Sequence, residues 1–193
     1  MLADEQRYRA SAYGLLAAAL RAPPDQTLLD QLGELSPAGD AEPDTLGRAM
    51  VALAQAAKAA DPERLEDEFQ QLFIGIGRGE VVPYGSWYLT GFLMEQPLSD
   101  LREDLARLGF AKNDQVSEPE DHVAAIFEVF SVMIADALNL DQQQRFFETH
   151  MLPWIGRFFV DLGKAKSAEF YRAVAEFGAA FNELEKNYLS MRS

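Results

Sequence analysis

The sequence predicts an all-α fold with about nine or ten helices. Apolar residues recur at steps of three and four through most of the 193 residues, which is the spacing of a buried helix face. Residues that favour helix ends separate these stretches. No stretch shows sustained two-residue alternation, and the β-like fragment 80–82 is too short to build a sheet. We therefore expect a single globular helical domain.

Proline and capping residues set the helix boundaries in the first half of the chain. Pro23 and Pro24 stop the first helix, because proline has no N–H with which to continue it. Asp61 followed by Pro62 is a typical pair of N-cap and first-turn residues. The predicted helices are 4–21, 25–35, 46–60, 61–73 and 98–108.

A glycine-spaced loop at 75–86 interrupts this pattern. It lacks the lysine of a Walker loop, and it follows a helix, whereas a dinucleotide-binding loop follows a strand. We interpret it as a turned connection in which glycine supplies positive φ angles. Tyr84, Trp87 and Tyr88 lie in this region. Their rings either line a groove, with polar tips suited to recognition, or simply pack in the core.

A strong helix-start pattern opens the second half. Ser117 and Glu120 form a capping box, and Pro119 suits a first turn. The carboxylates of Glu118 and Asp121 lie where the positive end of a helix dipole favours them. The apolar stripe that follows predicts one buried helix over 123–140.

The remaining helix starts are read from the same kind of signal. Asp141 with Gln144 indicates another N-cap, and Ser167 is expected to cap the last helix. From Phe170 to Tyr188 the apolar residues of that helix alternate steps of four and three, which predicts a narrow packing seam. The predicted helices are 141–150, 154–163 and 167–188.

Asp121 and His122 stand together at the exposed end of a core helix face. The pair is either part of a well-capped helix end or a recognition or catalytic site. Neighbouring helical residues point about 100° apart, so the two side chains would not bond as in a catalytic triad. They are better placed to hold two different groups of one ligand.

Charge and composition exclude several kinds of site. The chain has 31 acidic and 17 basic residues and a net charge of −14, which disfavours nucleic acid and anionic lipid and suits a basic partner. It has no cysteine and two distant histidines, so we expect no metal site and no haem or iron–sulfur attachment. No apolar stretch approaches the ~20 residues of a membrane span. The run 10–20 is interpreted as an amphipathic helix and not an export signal, so we expect a cytoplasmic location.

Three local patterns occur together in the sequence. The first runs from Glu68-Phe69 through Leu72-Phe73-Ile74-Gly75-Ile76-Gly77 to Pro83-Tyr84-Gly85-Ser86-Trp87-Tyr88, the second is Glu118-Pro119-Glu120-Asp121-His122, and the third is Phe146-Phe147-Glu148-Thr149-His150-Met151-Leu152-Pro153-Trp154. In order and separation they resemble the TorD/DmsD family, the cytoplasmic chaperones of molybdenum-cofactor oxidoreductases. The resemblance covers most of the chain from Glu68 onwards.

The resemblance implies an all-helical chaperone that is not an enzyme. Such a chaperone binds the twin-arginine signal peptide and the apo form of a molybdopterin oxidoreductase catalytic subunit, assists cofactor insertion, and proofreads the subunit before Tat export. Carried over by motif, the peptide-binding residues are Glu118, Pro119, Asp121 and His122 at the recognition end, and Leu72, Phe73, Pro83, Tyr84, Trp87 and Tyr88 in a facing aromatic wall. An acidic chain with an apolar groove suits a peptide that is basic and then apolar.

Two other functions stay open at this point. Some relatives are associated with GTP, which leaves a weak GTP-binding or GTP-hydrolysing protein as an alternative, although no cofactor is expected from the residues themselves. The seam of the last helix leaves a helical adaptor or oligomerisation module. The polar linker at 110–118 is a candidate hinge between an N-terminal part, 1–110, and a C-terminal part, 119–193. A hinge there would permit a domain-swapped dimer in place of a monomer.

Overall fold

Helices make up nearly all the regular structure of the protein. A computed structural model describes residues 4–37, 44–111 and 118–191, and in these it contains ten α-helices and two π-helical turns. The helices are α1 (Asp4–Arg21), α2 (Gln26–Gly33), α3 (Thr45–Ala59), α4 (Pro62–Phe69), α5 (Gly85–Thr90), α6 (Gln96–Arg107), α7 (Val123–Ala135), α8 (Leu140–Phe146), α9 (Ile155–Lys164) and α10 (Phe170–Ser190). The π turns, Gln70–Ile74 and Phe147–Met151, continue α4 and α8. The predicted all-α class is confirmed.

Internal contacts group the chain into two units. The first comprises Met1–Ala17 and Pro83–Ile155, and the second comprises Ala18–Val82 and Gly156–Ser193. Residues 112–117, which carry most of the predicted hinge, lie outside the described residues. The division of the chain at 110–118 therefore stays a prediction.

The apolar face of α7 forms the core of the first unit. Its Val123, Ile126, Phe127, Phe130, Met133 and Ile134 are all buried. Tyr13 of α1 packs its ring edge-on against Phe130, with the centroids 4.9 Å apart. The Ser131 hydroxyl donates to the carbonyl of Ala10 at 2.8 Å and ties the same two helices together. The stripe predicted from the sequence is the buried face.

The predicted end of this helix is wrong. α7 ends at Ala135, and the backbone of Ala137 then takes a left-handed conformation with φ 56°. Asn139, and not Asp141, caps the next helix: its side chain accepts the N–H of Gln142, while the Gln142 side chain accepts the N–H of Asn139. This reciprocal pair places the N-cap of α8 two residues earlier than predicted, and the stripe is therefore divided at 136–139.

The second unit is built around α10, which packs against α3, while α3 also packs against α2. Phe177 and Phe181 of α10 stack with their ring centroids 6.0 Å apart. Gly178 lies against the ring of Phe159, where an added Cβ would come within 2.2 Å of ring atoms. The lack of a side chain at Gly178 is therefore what permits this close helix contact.

A carboxylate from α4 caps α10, and the predicted cap by Ser167 is wrong. Glu68 accepts the backbone N–H groups of Glu169, Phe170 and Tyr171 at 2.8, 3.2 and 2.8 Å. Residues 167 and 169 precede the first helical turn, and the Ser167 hydroxyl donates instead to Glu80. Glu68 can replace a local cap because it brings a full negative charge to the positive end of the helix.

Replacing Glu68 by alanine should therefore destabilise the protein. The variant leaves three N–H groups at the start of α10 without their carboxylate, and loss of a helix cap costs about 0.5–2 kcal/mol. Urea unfolding followed by circular dichroism measures the loss. Glu66→Ala, an exposed change on the same helix, is the control. Equal stability of the two variants would contradict the capping role.

Glu80 provides a pH-dependent test of the same region. Its carboxylate accepts the Ser167 hydroxyl and the N–H groups of Lys166 and Ser167, and the hydroxyl bond above all lowers its pKa below the ordinary value of 4.5. A lowered folded-state pKa stabilises the protein above about pH 4.5, and this stabilisation is lost as the pH falls through the folded value.

We therefore expect Glu80→Gln to be less stable than the wild type at pH 7, with a difference that shrinks in acid below pH 4. Unfolding curves recorded across pH 3–7 measure this difference. Glu176→Gln, on an exposed position of α10, is the control. A difference between Glu80→Gln and the wild type that stays constant over this range would contradict the assignment.

Candidate functional site

The acidic motif lies in a turn that leads into α7, within the first unit. The N–H of His122 donates to the carbonyl of Pro119 at 3.1 Å, and the helix begins only at Val123. His122 is the N-cap, and its Nδ1 accepts the N–H of Ala124 at 3.2 Å. The prediction that the motif occupies the first helical turn is therefore wrong. Ser117 of the predicted capping box lies outside the described residues.

Backbone pairing explains why α7 begins at Val123 and not within the acidic motif. Tyr84 and His122 form an isolated antiparallel β-bridge. The N–H of Gly85 donates to the Asp121 carbonyl at 2.9 Å, and the N–H of Val123 donates to the Pro83 carbonyl at 2.8 Å. His122 must be extended to make this pairing, so it cannot lie in a helical turn. The bridge joins two of the three motifs recognised in the sequence.

Asp121 is buried, with 3% of its surface exposed, and its two carboxylate oxygens differ. Oδ2 accepts the N–H of Ser86 at 2.8 Å. Among the described residues, Oδ1 has no hydrogen-bond partner, and neither does the fully buried hydroxyl of Ser86. A buried carboxylate oxygen without a donor is costly, so the pair marks a place where a ligand can supply the missing hydrogen bonds.

Asp121 and Ser86 are among the residues that line a cavity of about 150 Å³ in the first unit. Leu101, Ile126 and Trp154 are among its apolar lining residues, and His150 adds a polar one. A cavity of this size holds a group as large as benzene in an engineered protein core. It can therefore accept the end of one side chain or another small group.

His150 and Trp154 come from the third motif and are held rigidly. His150 is buried and its Nε2 lies 2.8 Å from Oδ2 of Asp104 on α6. Trp154 donates its indole N–H to the carbonyl of His150 at 2.7 Å and stacks on Tyr88 at 5.6 Å between ring centroids. The contact with Asp104 holds the imidazole of His150 in place.

The other carboxylates of the acidic motif have partners. Glu118 accepts the hydroxyl of Tyr84, and burial, followed by this bond, raises the pKa of Tyr84. Glu120 accepts the guanidinium of Arg102 at 2.8 Å, and this bond raises the pKa of Arg102. Asp121 is thus the acid of the motif with a buried oxygen that has no donor among the described residues.

The structure brings eight of the ten predicted peptide-binding residues into the first unit. They are Pro83, Tyr84, Trp87, Tyr88, Glu118, Pro119, Asp121 and His122. The ring of Tyr84 lies edge-on to that of His122, with centroids 5.1 Å apart. Tyr84, Trp87 and Tyr88 are half-buried.

Leu72 and Phe73 belong to the second unit. Leu72 is fully buried, and Phe73 is half-buried against Tyr171 with its ring centroid 5.3 Å away. The common wall that these two residues were predicted to form with Tyr84 and Trp87 stays a prediction.

Ser86, His150 and Trp154 were missed as cavity residues, and Asp104 was missed as the partner of His150. His150 and Trp154 were visible as a pair four residues apart in the third motif. Nothing in the sequence pairs Asp104 with His150, because 46 positions separate them. The sequence showed Ser86 only as part of the first motif. In the structure its backbone N–H donates to Oδ2 of Asp121.

Over the described part of the chain, no group of three His, Asp or Glu side chains is placed to hold a metal ion. Within the same residues, no helix is both long enough and apolar enough to cross a membrane.

The arrangement of helices is one already seen among redox enzyme maturation proteins. The fold is similar to that of a putative redox enzyme maturation protein from Archaeoglobus fulgidus, with a TM-score of 0.58, 20% identity and coverage of 96% of both chains. Residues 40–160 match the family model described as "Nitrate reductase delta subunit".

Curated relatives carry more specific names. The chain is 29% identical over 180 residues to "Chaperone protein TorD" of Vibrio atlanticus, covering 86% of this chain and 81% of that protein. It is 29% identical over 115 residues to "Probable Tat proofreading chaperone DmsD" of Haemophilus influenzae, covering 58% and 56%. The protein belongs to the TorD/DmsD family of chaperones, as its three motifs indicated, and the role of this family is not enzymatic.

The N-cap role of His122 can be tested by comparing two substitutions. His122→Ala removes the acceptor of the Ala124 N–H and should lower the free energy of unfolding by about 0.5–2 kcal/mol. His122→Asn supplies a preferred N-cap oxygen and should retain most of that stability. Denaturant unfolding measures both variants. The same loss for alanine and asparagine would contradict the cap.

Proposed function

We propose that this chaperone binds the twin-arginine signal peptide, and the apo form, of a molybdopterin oxidoreductase catalytic subunit in the cytoplasm. It would assist cofactor insertion and proofread the subunit before Tat export, without a cofactor of its own. One observation carries the proposal: Asp121 lines a small cavity, and its buried Oδ1 has no donor in the part of the chain that the structure describes. Eight of the ten peptide-binding residues named from the motifs belong to the same unit as Asp121.

An arginine side chain suits the cavity chemically. Its guanidinium is planar, stays charged, and presents five N–H donors in a fixed fork that a carboxylate accepts. Asp121 can accept on Oδ1 while Oδ2 stays bonded to Ser86. The ring of Trp154 on the same wall offers an aromatic surface of the kind on which guanidinium groups stack.

Charge favours the same partner over a longer range. The chain carries a net charge of −14, so a cationic leader is attracted before contact. Glu118, which precedes the N-terminus of α7, is exposed and lies in the same motif as Asp121. Glu120 is already paired with Arg102, which leaves Asp121 as the acceptor for the peptide.

A synthetic peptide with an Arg-Arg core and an apolar tail should bind stoichiometrically in titration calorimetry. Asp121→Asn keeps an oxygen for the N–H of Ser86 but removes the charge, so the fold should be retained. The affinity should fall at least tenfold, as expected when a charge-assisted bond is lost.

Asp136→Asn is the matched control, because it makes the same charge change about 20 Å away at the other end of α7. The control should bind like the wild type. A peptide in which both arginines are alanine should bind weakly to all three proteins. Absence of binding to the wild type, or equal weakening by the two substitutions, would contradict the proposal.

A further inference from the structure

We infer that the apolar segment of the bound peptide docks on a short exposed ledge formed by Leu89, Phe92, Leu93 and Met94, and not on the aromatic residues Tyr84, Trp87 and Tyr88. The inference rests on the proposed function, because it assigns a place to the second half of the same ligand.

The ledge is a run of large apolar side chains held out into solvent. Phe92, Leu93 and Met94 are consecutive and are 68%, 48% and 74% exposed. Leu89, on the last turn of α5, is also exposed. Single exposed apolar residues are common on protein surfaces, but four within six positions form a patch of the kind that marks an interaction site.

The backbone beneath the ledge is fixed by hydrogen bonds. The Thr90 hydroxyl oxygen lies 2.9 Å from the Ser86 carbonyl, to which it donates, and it accepts the N–H of Phe92 at 3.2 Å. Gly91 ends α5 in a left-handed conformation, with its N–H on the carbonyl of Trp87 at 2.8 Å. A fixed loop presents these side chains at a small cost in conformational entropy on binding.

The ledge is continuous with the cavity that Asp121 lines. Leu89 belongs to the ledge and also lines the cavity. Five residue steps separate Leu89 from Met94, so the ledge extends at most ~17 Å from the cavity, or about five residues of an extended peptide. One short peptide can therefore reach both.

Charge complementarity selects the occupant. Two of the cavity-lining residues, Asp100 and Asp121, are acidic, and Glu95 directly follows the ledge. An apolar partner without a cation would leave Oδ1 of Asp121 without a donor. The chemistry therefore fits a peptide with a cationic side chain followed within about five residues by an apolar run. The aromatic residues named from the motif are half-buried, and Tyr88 is stacked on Trp154, so they offer less free apolar surface.

Two peptides and three variants test the inference in titration calorimetry. The first peptide has an Arg-Arg core and a leucine-rich tail, and the second has serine in place of each leucine. Met94→Ser and the double change Phe92→Ser with Met94→Ser remove the ledge, and both positions are exposed enough to tolerate serine. Met191→Ser is the control, since Met191 is 77% exposed at the end of α10.

We expect the double change to weaken the leucine peptide about tenfold and the serine peptide less than twofold, since burial of large apolar side chains contributes only to the first. Met94→Ser should lie between the double variant and the wild type. Met191→Ser should bind both peptides like the wild type.

Other outcomes would overturn the inference in distinguishable ways. Unchanged affinity of the ledge variants, with Asp121→Asn still weakening both peptides, would remove the ledge and leave the proposed function standing. If light scattering finds that the wild type is a dimer and the ledge variants are monomers with unchanged affinity, the ledge binds a second copy of the chain. Failure of both peptides to bind the wild type would overturn the proposed function and the inference together.

Discussion

The candidate site depends on one short piece of backbone pairing in the first unit. Pro83–Gly85 and Asp121–Val123 exchange two main-chain hydrogen bonds around the bridge between Tyr84 and His122. This pairing places Asp121 beside the start of α5, where one of its oxygens accepts the N–H of Ser86 and the other has no donor among the described residues. The pairing joins two segments about 35 positions apart, and the bonds from Ser86 to Asp121 and from Tyr84 to Glu118 join the same two segments.

The same pairing sets the local conformation of both segments. It keeps His122 extended, which delays α7 to Val123 and makes the imidazole an N-cap. It also leaves the carboxylate of Asp121 committed to one bond, so its remaining oxygen stays available at an energetic cost that a cationic ligand can offset. In the proposed function, this unsatisfied acceptor is the group that recognises the partner.

The sequence predicted the features that depend on local periodicity, and it failed where a residue from a distant segment decides. The buried face of α7 and the Asp61 cap of α4 follow from neighbouring residues alone, and both were predicted. The cap of α10 was misplaced because Glu68 lies about 100 positions away. The acidic motif was wrongly assigned to the first turn of α7, because its last residues pair with the segment at Pro83 and stay outside the helix.

The candidate site shows the same difference between features set by neighbouring residues and features set by distant ones. The motifs named Asp121, His122 and the aromatic residues, but no spacing could show that Oδ1 of Asp121 lacks a donor or that Ser86 holds the other oxygen. Those are properties of packing between segments. The exposed run from Phe92 to Met94 was visible as an apolar cluster, yet only the structure distinguishes a ledge in solvent from a buried core segment.

The most direct test of the central claim is a crystal structure of the protein with a peptide that carries an Arg-Arg core. The account predicts a guanidinium nitrogen at about 2.7–3.2 Å from Oδ1 of Asp121, with Oδ2 still accepting the N–H of Ser86. A bound peptide whose arginines lie away from this cavity, with Oδ1 still lacking a donor, would contradict it.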